Sequence, residues 1–160
     1  MLGQLDENHI EKVLHKQVLG RIGCHANGVT YIVPVCYAYD GNCIYARSND
    51  GLKIDLMRKN PKVCFEVENI KDLANWKTVI LWGDFEEITG AEERKAALDI
   101  LLNRHMPIVS GEMARLTPNW PFQPDNLNEV SGVLYKIKIE KKTGRFENYQ
   151  GIDEVSQSYL

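Results

Sequence analysis

Arg47, Ser48, Gly51 and Lys53 fall in one short run, ARSNDGLK, between a strand-like segment and a helix-like one. That placement suits a phosphate: free N–H groups, a positive helix-dipole end and cationic side chains converge there. An arginine grips a phosphate bidentately, a lysine adds a point charge and a serine donates a hydroxyl hydrogen bond. Gly51 lets the backbone come close. The same residues also read as a solvated basic edge, with Ser48, Asn49 and Asp50 merely capping a helix. Other reactive residue types offer less. No nucleophile–base pair or carboxylate dyad has recognisable spacing. Cys24, Cys36, Cys43 and Cys64 form no C-x-x-C pair and no zinc pattern with the four histidines, so no metal site is expected. They read as buried reduced thiols. His9, His15 and His105 read as solvated, and His25 as a hairpin-end residue with a cofactor cleft as its alternative.

The elements around this run follow from pattern. Asp6 to Gln17 keeps helical spacing through Ile10, Val13 and Leu14, with Asp6 or Asn8 as cap. Val18–Ala26 and Val29–Tyr39 are strand-like and flank Asn27-Gly28, a hairpin turn. Pro34 interrupts the second strand, which marks an edge, a bulge or a ligand-facing position. Asp40-Gly41-Asn42 turns into Cys43–Arg47, and a short helix then runs to Asn60, before Pro61. Lys62–Ile70 alternates as a half-buried strand, and Lys71–Asn75 is turn-like. Trp76–Ile88 is a long strand whose Gly83 suggests a bulge or a close backbone approach. This reading sets Trp76 and Trp82 on different sides of it and assigns Trp82 to core packing. Thr89 is expected to cap an amphipathic helix reaching about Arg104.

Residues 106–128 carry Pro107, Pro118, Pro121 and Pro124, with Trp120 and Phe122 between them, as a lid or a dimer anchor. Val130–Glu140 is a further strand, Lys141–Gly144 a turn and Arg145–Tyr149 a closing strand. The expected fold is mainly β: about six antiparallel strands in a meander, forming a closed or partly closed barrel with two or three helices. One domain spans 1–150, followed by a polar tail, 151–160.

The chain has 160 residues, 44% of them hydrophobic, enough for a substantial core. A net charge of −3 argues against a general nucleic-acid binder. No apolar run reaches the roughly 20 residues that span a bilayer, and the N-terminus lacks a signal-peptide pattern. No membrane association is expected, and the cytoplasm is the expected compartment.

The segment RIGCHANGVTYIVPVCYAYDGNCIYARSNDGLKIDLMRKNPKVCFEVENI, followed by NWKTVILWGDFEEI, resembles the pyridoxamine 5′-phosphate oxidase-like family of FMN-binding split β-barrels. The branch is similar to the nitroimidazole-resistance proteins. The motif order carries the resemblance: proline-valine strand, DG turn, basic S-x-x-G-x-K loop, NP, V-x-F-x-V strand, then W-x-x-V and G. The resemblance implies a homodimer with FMN at the subunit interface. It implies that Arg47, Ser48, Gly51 and Lys53 hold the FMN phosphate. Backbone around Val33, Pro34 and Val35 would approach the isoalloxazine ring. Trp76, Lys77 and Val79 would lie near the cofactor bound mainly by the other subunit.

The implied activity is an FMN-dependent oxidoreduction between a reduced donor and a small organic acceptor. Two departures narrow it. Nitroimidazole-resistance proteins carry a histidine at about the position of Arg47, so nitro reduction is not implied. Pyridoxamine phosphate oxidases carry a C-terminal arginine–histidine substrate motif that KKTGRFENYQ lacks, so vitamin B6 oxidation is not implied either. The alternatives are a non-catalytic flavin-binding protein, a haem-binding relative, for which the four histidines show no obvious pairing, and a structural β-barrel dimer with an empty cleft.

Overall fold

The computed structural model describes residues 1–104, 115 and 130–148. Its elements run β1 (Leu2–Gln4), α1 (Glu7–Lys16), β2 (Leu19–Ala26), β3 (Val29–Tyr39), β4 (Cys43–Ser48), α2 (Leu52–Lys59), β5 (Lys62–Asp72), β6 (Asn75–Glu87), α3 (Ala91–Asn103) and β7 (Val133–Asn148). The expected 106–128 loop with Trp120 and Phe122, His105, and the 151–160 tail lie outside the described residues.

Local chemistry sets the turns. Asn27 and Gly28 both take positive φ, 52° and 74°, as a two-residue hairpin between right-twisted strands requires. Asp40 Oδ1 accepts from the N–H groups of Asn42 (2.8 Å) and Cys43 (2.7 Å), which closes the next turn. Asp6 caps α1 by accepting from the His9 N–H at 2.8 Å.

All strand pairings are antiparallel, in the order β1-β7-β4-β3-β2-β5-β6, and β6 pairs back onto β7. Six strands thus close a barrel, with β1 added alongside the end of β7. This is not the meander expected from short turns. β5 pairs with β2, and β4 with β7, because α2 carries the chain from the end of β4 across to β5. Inward residues such as Ile22, Tyr37, Ile44, Phe65, Leu81 and Ile137 fill the interior. α1 adds Ile10, Val13 and Leu14 to that core, and Tyr37 Oη donates to the Leu14 carbonyl at 2.8 Å. Ala97, Leu98 and Leu101 of α3 pack outside the barrel with Ala38, Ile88 and Leu134.

Three local expectations are corrected. Lys141–Gly144 is not a turn: β7 continues through it, pairing Lys142, Thr143 and Gly144 with Leu81, Ile80 and Val79. The glycine there answers to packing instead, since a Cβ on Gly144 would meet Leu5 and Ile10 side-chain atoms at 2.8–2.9 Å. α3 starts after Gly90 without a side-chain cap, so Thr89 does not cap it. Trp76 and Trp82 face the same way. The irregularity sits opposite Trp82 and Gly83, where their partners are Lys141 and Ile139, so the extra residue, Glu140, is on β7. The parity of β6 is therefore unbroken. Trp82 is 39% exposed beneath the Lys141 ammonium, not in the core.

Candidate functional site

β3 is paired with β2 along most of its length, but with β4 only at Tyr37–Tyr39. Beyond that point the sheet splits. The Tyr37 N–H donates to the Val18 carbonyl at 3.0 Å. In an antiparallel ladder these bonds recur every second residue, so the Pro34 nitrogen points away from β2, toward the split. Proline sacrifices no ladder bond there.

The split opens into a cleft of about 360 Å³ lined by Tyr31, Val33, Pro34, Ser48, Asn49, Gly51, Leu52 and Lys53. The strand residues and the basic loop, separate in sequence, thus share one concavity. The Val35 side chain is buried in the core, and by the same alternation its backbone N–H and C=O face β2, so of Val33, Pro34 and Val35 it is Pro34 whose backbone is turned to the split. Residue 51 precedes α2 and, being glycine, offers no side chain to its first N–H groups, which leaves them for another acceptor. Ser48 Oγ donates to the Asn49 carbonyl at 3.0 Å, a local bond.

Lys53 is half-buried and forms no ion pair among the described residues. Burial pulls its amine below the ordinary lysine value, and the Cys24 thiol partly offsets the shift. Arg58 accounts for the nearby acids. It reaches Asp50 at 3.1 Å and Glu87 at 2.9 Å, which keeps Asp50 engaged beside the loop. A partly desolvated cation with no counter-ion among the described residues, lining a concavity beside a helix start that lacks a side-chain cap, fits an incoming phosphate.

Arg47 does not line the cleft. Its Nε donates to the Ser131 carbonyl at 2.6 Å, and its Nη2 donates to Asn49 Oδ1 at 3.0 Å and Ser131 Oγ at 3.2 Å. The Nε and Nη2 donors that a bidentate grip would draw on are therefore already engaged. Sequence reasoning missed Asn49 and Ser131; the only signal was a glycine, Gly132, just before β7.

Trp76 and Lys77 lie elsewhere. They line a cavity of about 760 Å³ with Leu5, His9, Asn69, Lys71 and Phe146, and Trp76 Nε1 donates to Glu147 Oε2 at 3.0 Å. Tyr31 is level with Cys24 and Val63, and Asn69 is six residues further along β5. Pro34, also in the cleft, is level with Glu66, three residues from Asn69, so at about 3.3 Å per residue the two concavities are separated along the strand by about 10 Å at their near ends and about 20 Å from Tyr31. Val79 is fully buried in the core. His25 is exposed, with its Nδ1 on Thr30 Oγ1 at 2.9 Å. Cys24 is buried, and the other three cysteines are half-buried and unbridged. Among the described residues no group of histidines, cysteines and carboxylates could hold a metal ion, and no helix is long and apolar enough to cross a membrane.

Comparison with known proteins identifies this arrangement. The family model described as pyridoxamine 5′-phosphate oxidase matches residues 6–146. The chain belongs to that family. An uncharacterised protein of Rhizobium meliloti is 30% identical over 135 residues, covering 79% of this chain and 83% of the relative. The crystal structure of a FAD-binding protein from Mesorhizobium loti is 30% identical, with a TM-score of 0.71, covering 92% of this chain and 99% of that one. A candidate 5-nitroimidazole antibiotic resistance protein from Bacteroides thetaiotaomicron shares the fold at 20% identity and a TM-score of 0.70, covering 91% of this chain and 87% of that one. The split between β3 and β4, on a closed antiparallel barrel, is the split-barrel architecture of the pyridoxamine 5′-phosphate oxidase-like proteins.

Proposed function

We propose that this protein binds FMN with its phosphate at the Ser48–Lys53 loop and serves as a flavin-dependent oxidoreductase acting on a small organic acceptor. The observation that carries this reading is Lys53: a half-buried cation without an ion-pair partner among the described residues, in the cleft at the barrel split. Family membership and the M. loti structure, named as FAD-binding, support a flavin of either kind. When bound, a flavin supplies two-electron transfer between a reduced donor and an acceptor. The chain supplies the phosphate grip, the β3 edge turned to the split at Pro34, and exclusion of water.

The active form in this reading is a homodimer. Trp76 and Lys77 line a concavity separate from the Lys53 cleft, and in this reading the flavin meets Trp76 and Lys77 of the partner subunit. A groove of about 590 Å³ on the outer face, with Gly23, Ile32, Cys64, Ile80 and Trp82 in its wall, offers an apolar surface for association. Ile32 is 65% exposed there.

The purified protein is expected to show flavin absorption bands and the mass of a dimer, and mass spectrometry of the released chromophore distinguishes FMN from FAD. A Soret band would point to haem. A colourless protein that takes up neither added FMN nor FAD would overturn the reading.

The same site predicts a pH dependence. Lys53 binds a phosphate as the cation, and burial has lowered its pKa. FMN affinity is therefore expected to fall as pH rises from neutrality toward the ordinary lysine range, earlier than for a solvated lysine. Riboflavin, which lacks the phosphate, should show no such fall. Calorimetric titrations across a pH series measure both, and a flat FMN profile would remove Lys53 from the phosphate grip.

A further inference from the structure

The Arg47 guanidinium is held by three bonds, and every acceptor is neutral: the Ser131 carbonyl, Ser131 Oγ and Asn49 Oδ1. Arg21 and Arg58, by contrast, are each paired with carboxylates. Its three bonds fix its orientation, and Arg47 has no carboxylate partner among the described residues. Of the five N–H donors of an arginine, the bonds engage the one on Nε and both on Nη2, which leaves the two on Nη1. Asn49, one of the residues holding it, also lines the Lys53 cleft.

Gly132 makes this contact possible. Its φ is +90°, which L side chains rarely adopt. A Cβ there would lie 2.6 Å from the Ser48 carbonyl oxygen and 3.2 Å from Arg47 Nε. Only glycine lets residues 131–132 lie against the end of β4 and present the Ser131 carbonyl to Arg47. The bond also spans the chain, since Ser131 precedes β7 while Arg47 is the last residue but one of β4, and the two strands pair there at Arg47–Leu134 and Ser48–Val133.

We infer that Ser131 and Gly132 form a positioning element that pre-orients Arg47, with Nη1 as its presented donor, for the phosphate of the bound flavin. The inference rests on the proposed flavin site. It assigns the discrimination between phosphorylated and unphosphorylated flavin in part to two residues that do not line the cleft. Pre-orientation strengthens binding because the side-chain ordering is completed before the ligand arrives.

The test compares dissociation constants for FMN and riboflavin in the full-length protein. Ser131→Ala removes the hydroxyl bond and is expected to weaken FMN binding roughly tenfold, about 1.4 kcal/mol, with riboflavin unchanged. Gly132→Ala displaces both Ser48 and Arg47 and should weaken FMN further. Ser131→Thr keeps the hydroxyl and should restore FMN affinity. If Gly132→Ala does not fold, Ser131→Ala and its threonine rescue decide the matter. Equal losses for FMN and riboflavin, or no loss of either, would reduce Arg47 and Ser131 to a structural latch and overturn the inference while leaving flavin binding intact. A wild-type protein that binds neither flavin would overturn the proposed function, and the inference with it.

Discussion

Replacing Arg47 and Lys53 together by alanine is expected to weaken FMN binding by about 3–6 kcal/mol, roughly two to four orders of magnitude, and to leave riboflavin binding within about threefold. The size follows from two charge-assisted contacts to one dianion, each worth about 1.5–3 kcal/mol. Lys53 carries the more secure half of the effect, since it lines the cleft and is already desolvated. Arg47 contributes through the Nη1 donors that its bonds to Ser131 and Asn49 leave over. The two side chains approach one ligand, so the single variants need not sum to the double, and the full cycle should be measured. Flavin fluorescence titration reads both ligands. An unchanged FMN affinity in the double variant would place the phosphate elsewhere.

Gly83→Ala is expected to cost about 3 kcal/mol of folding stability. A Cβ at residue 83 would lie 2.2 Å from the Lys138 carbonyl oxygen and 2.9 Å from its carbon. Both are backbone atoms of β7, paired on its other side with β4, so neither has a flexible side chain's freedom to retreat. The site is also where β6 and β7 close the barrel around the extra residue Glu140. Gly90→Ala is the matched control: its φ is −68° and nothing lies within 4 Å of its would-be Cβ, so the change should stay within about 0.5 kcal/mol. Urea denaturation of both variants makes the comparison. Equal midpoints would mean that the strands are not so closely apposed at the closure.

The local pattern carried much of this fold. Alternation and turn chemistry located β2 to β6 to within a residue or two, because each is bounded by Asn27-Gly28, Asp40-Gly41-Asn42, Asn60-Pro61 or a polar turn. Where local chemistry and tertiary pairing disagreed, pairing decided. Lys141-Lys142-Thr143-Gly144 has a turn's composition, yet β6 supplies a partner for that whole stretch, and Lys142 finds Glu7 and Glu11 on α1. β1 is too short for alternation to register, and exists because the end of β7 pairs with it.

The sequence by itself determined the inventory of the site: a cationic loop at a strand-to-helix junction, a proline in the strand before it, and a motif order that points to a flavin-binding family. Spacing within a chain records which residues are near neighbours along one element, and the loop is such a case. Only the tertiary structure decided how that inventory is shared out. It brought Pro34 to the split beside Lys53, turned the Nε and Nη2 donors of Arg47 to Asn49 and Ser131, and set Trp76 and Lys77 in a concavity of their own. Those outcomes depend on strand register and barrel closure, which join residues as far apart as Arg47 and Ser131 and leave no local trace beyond a glycine.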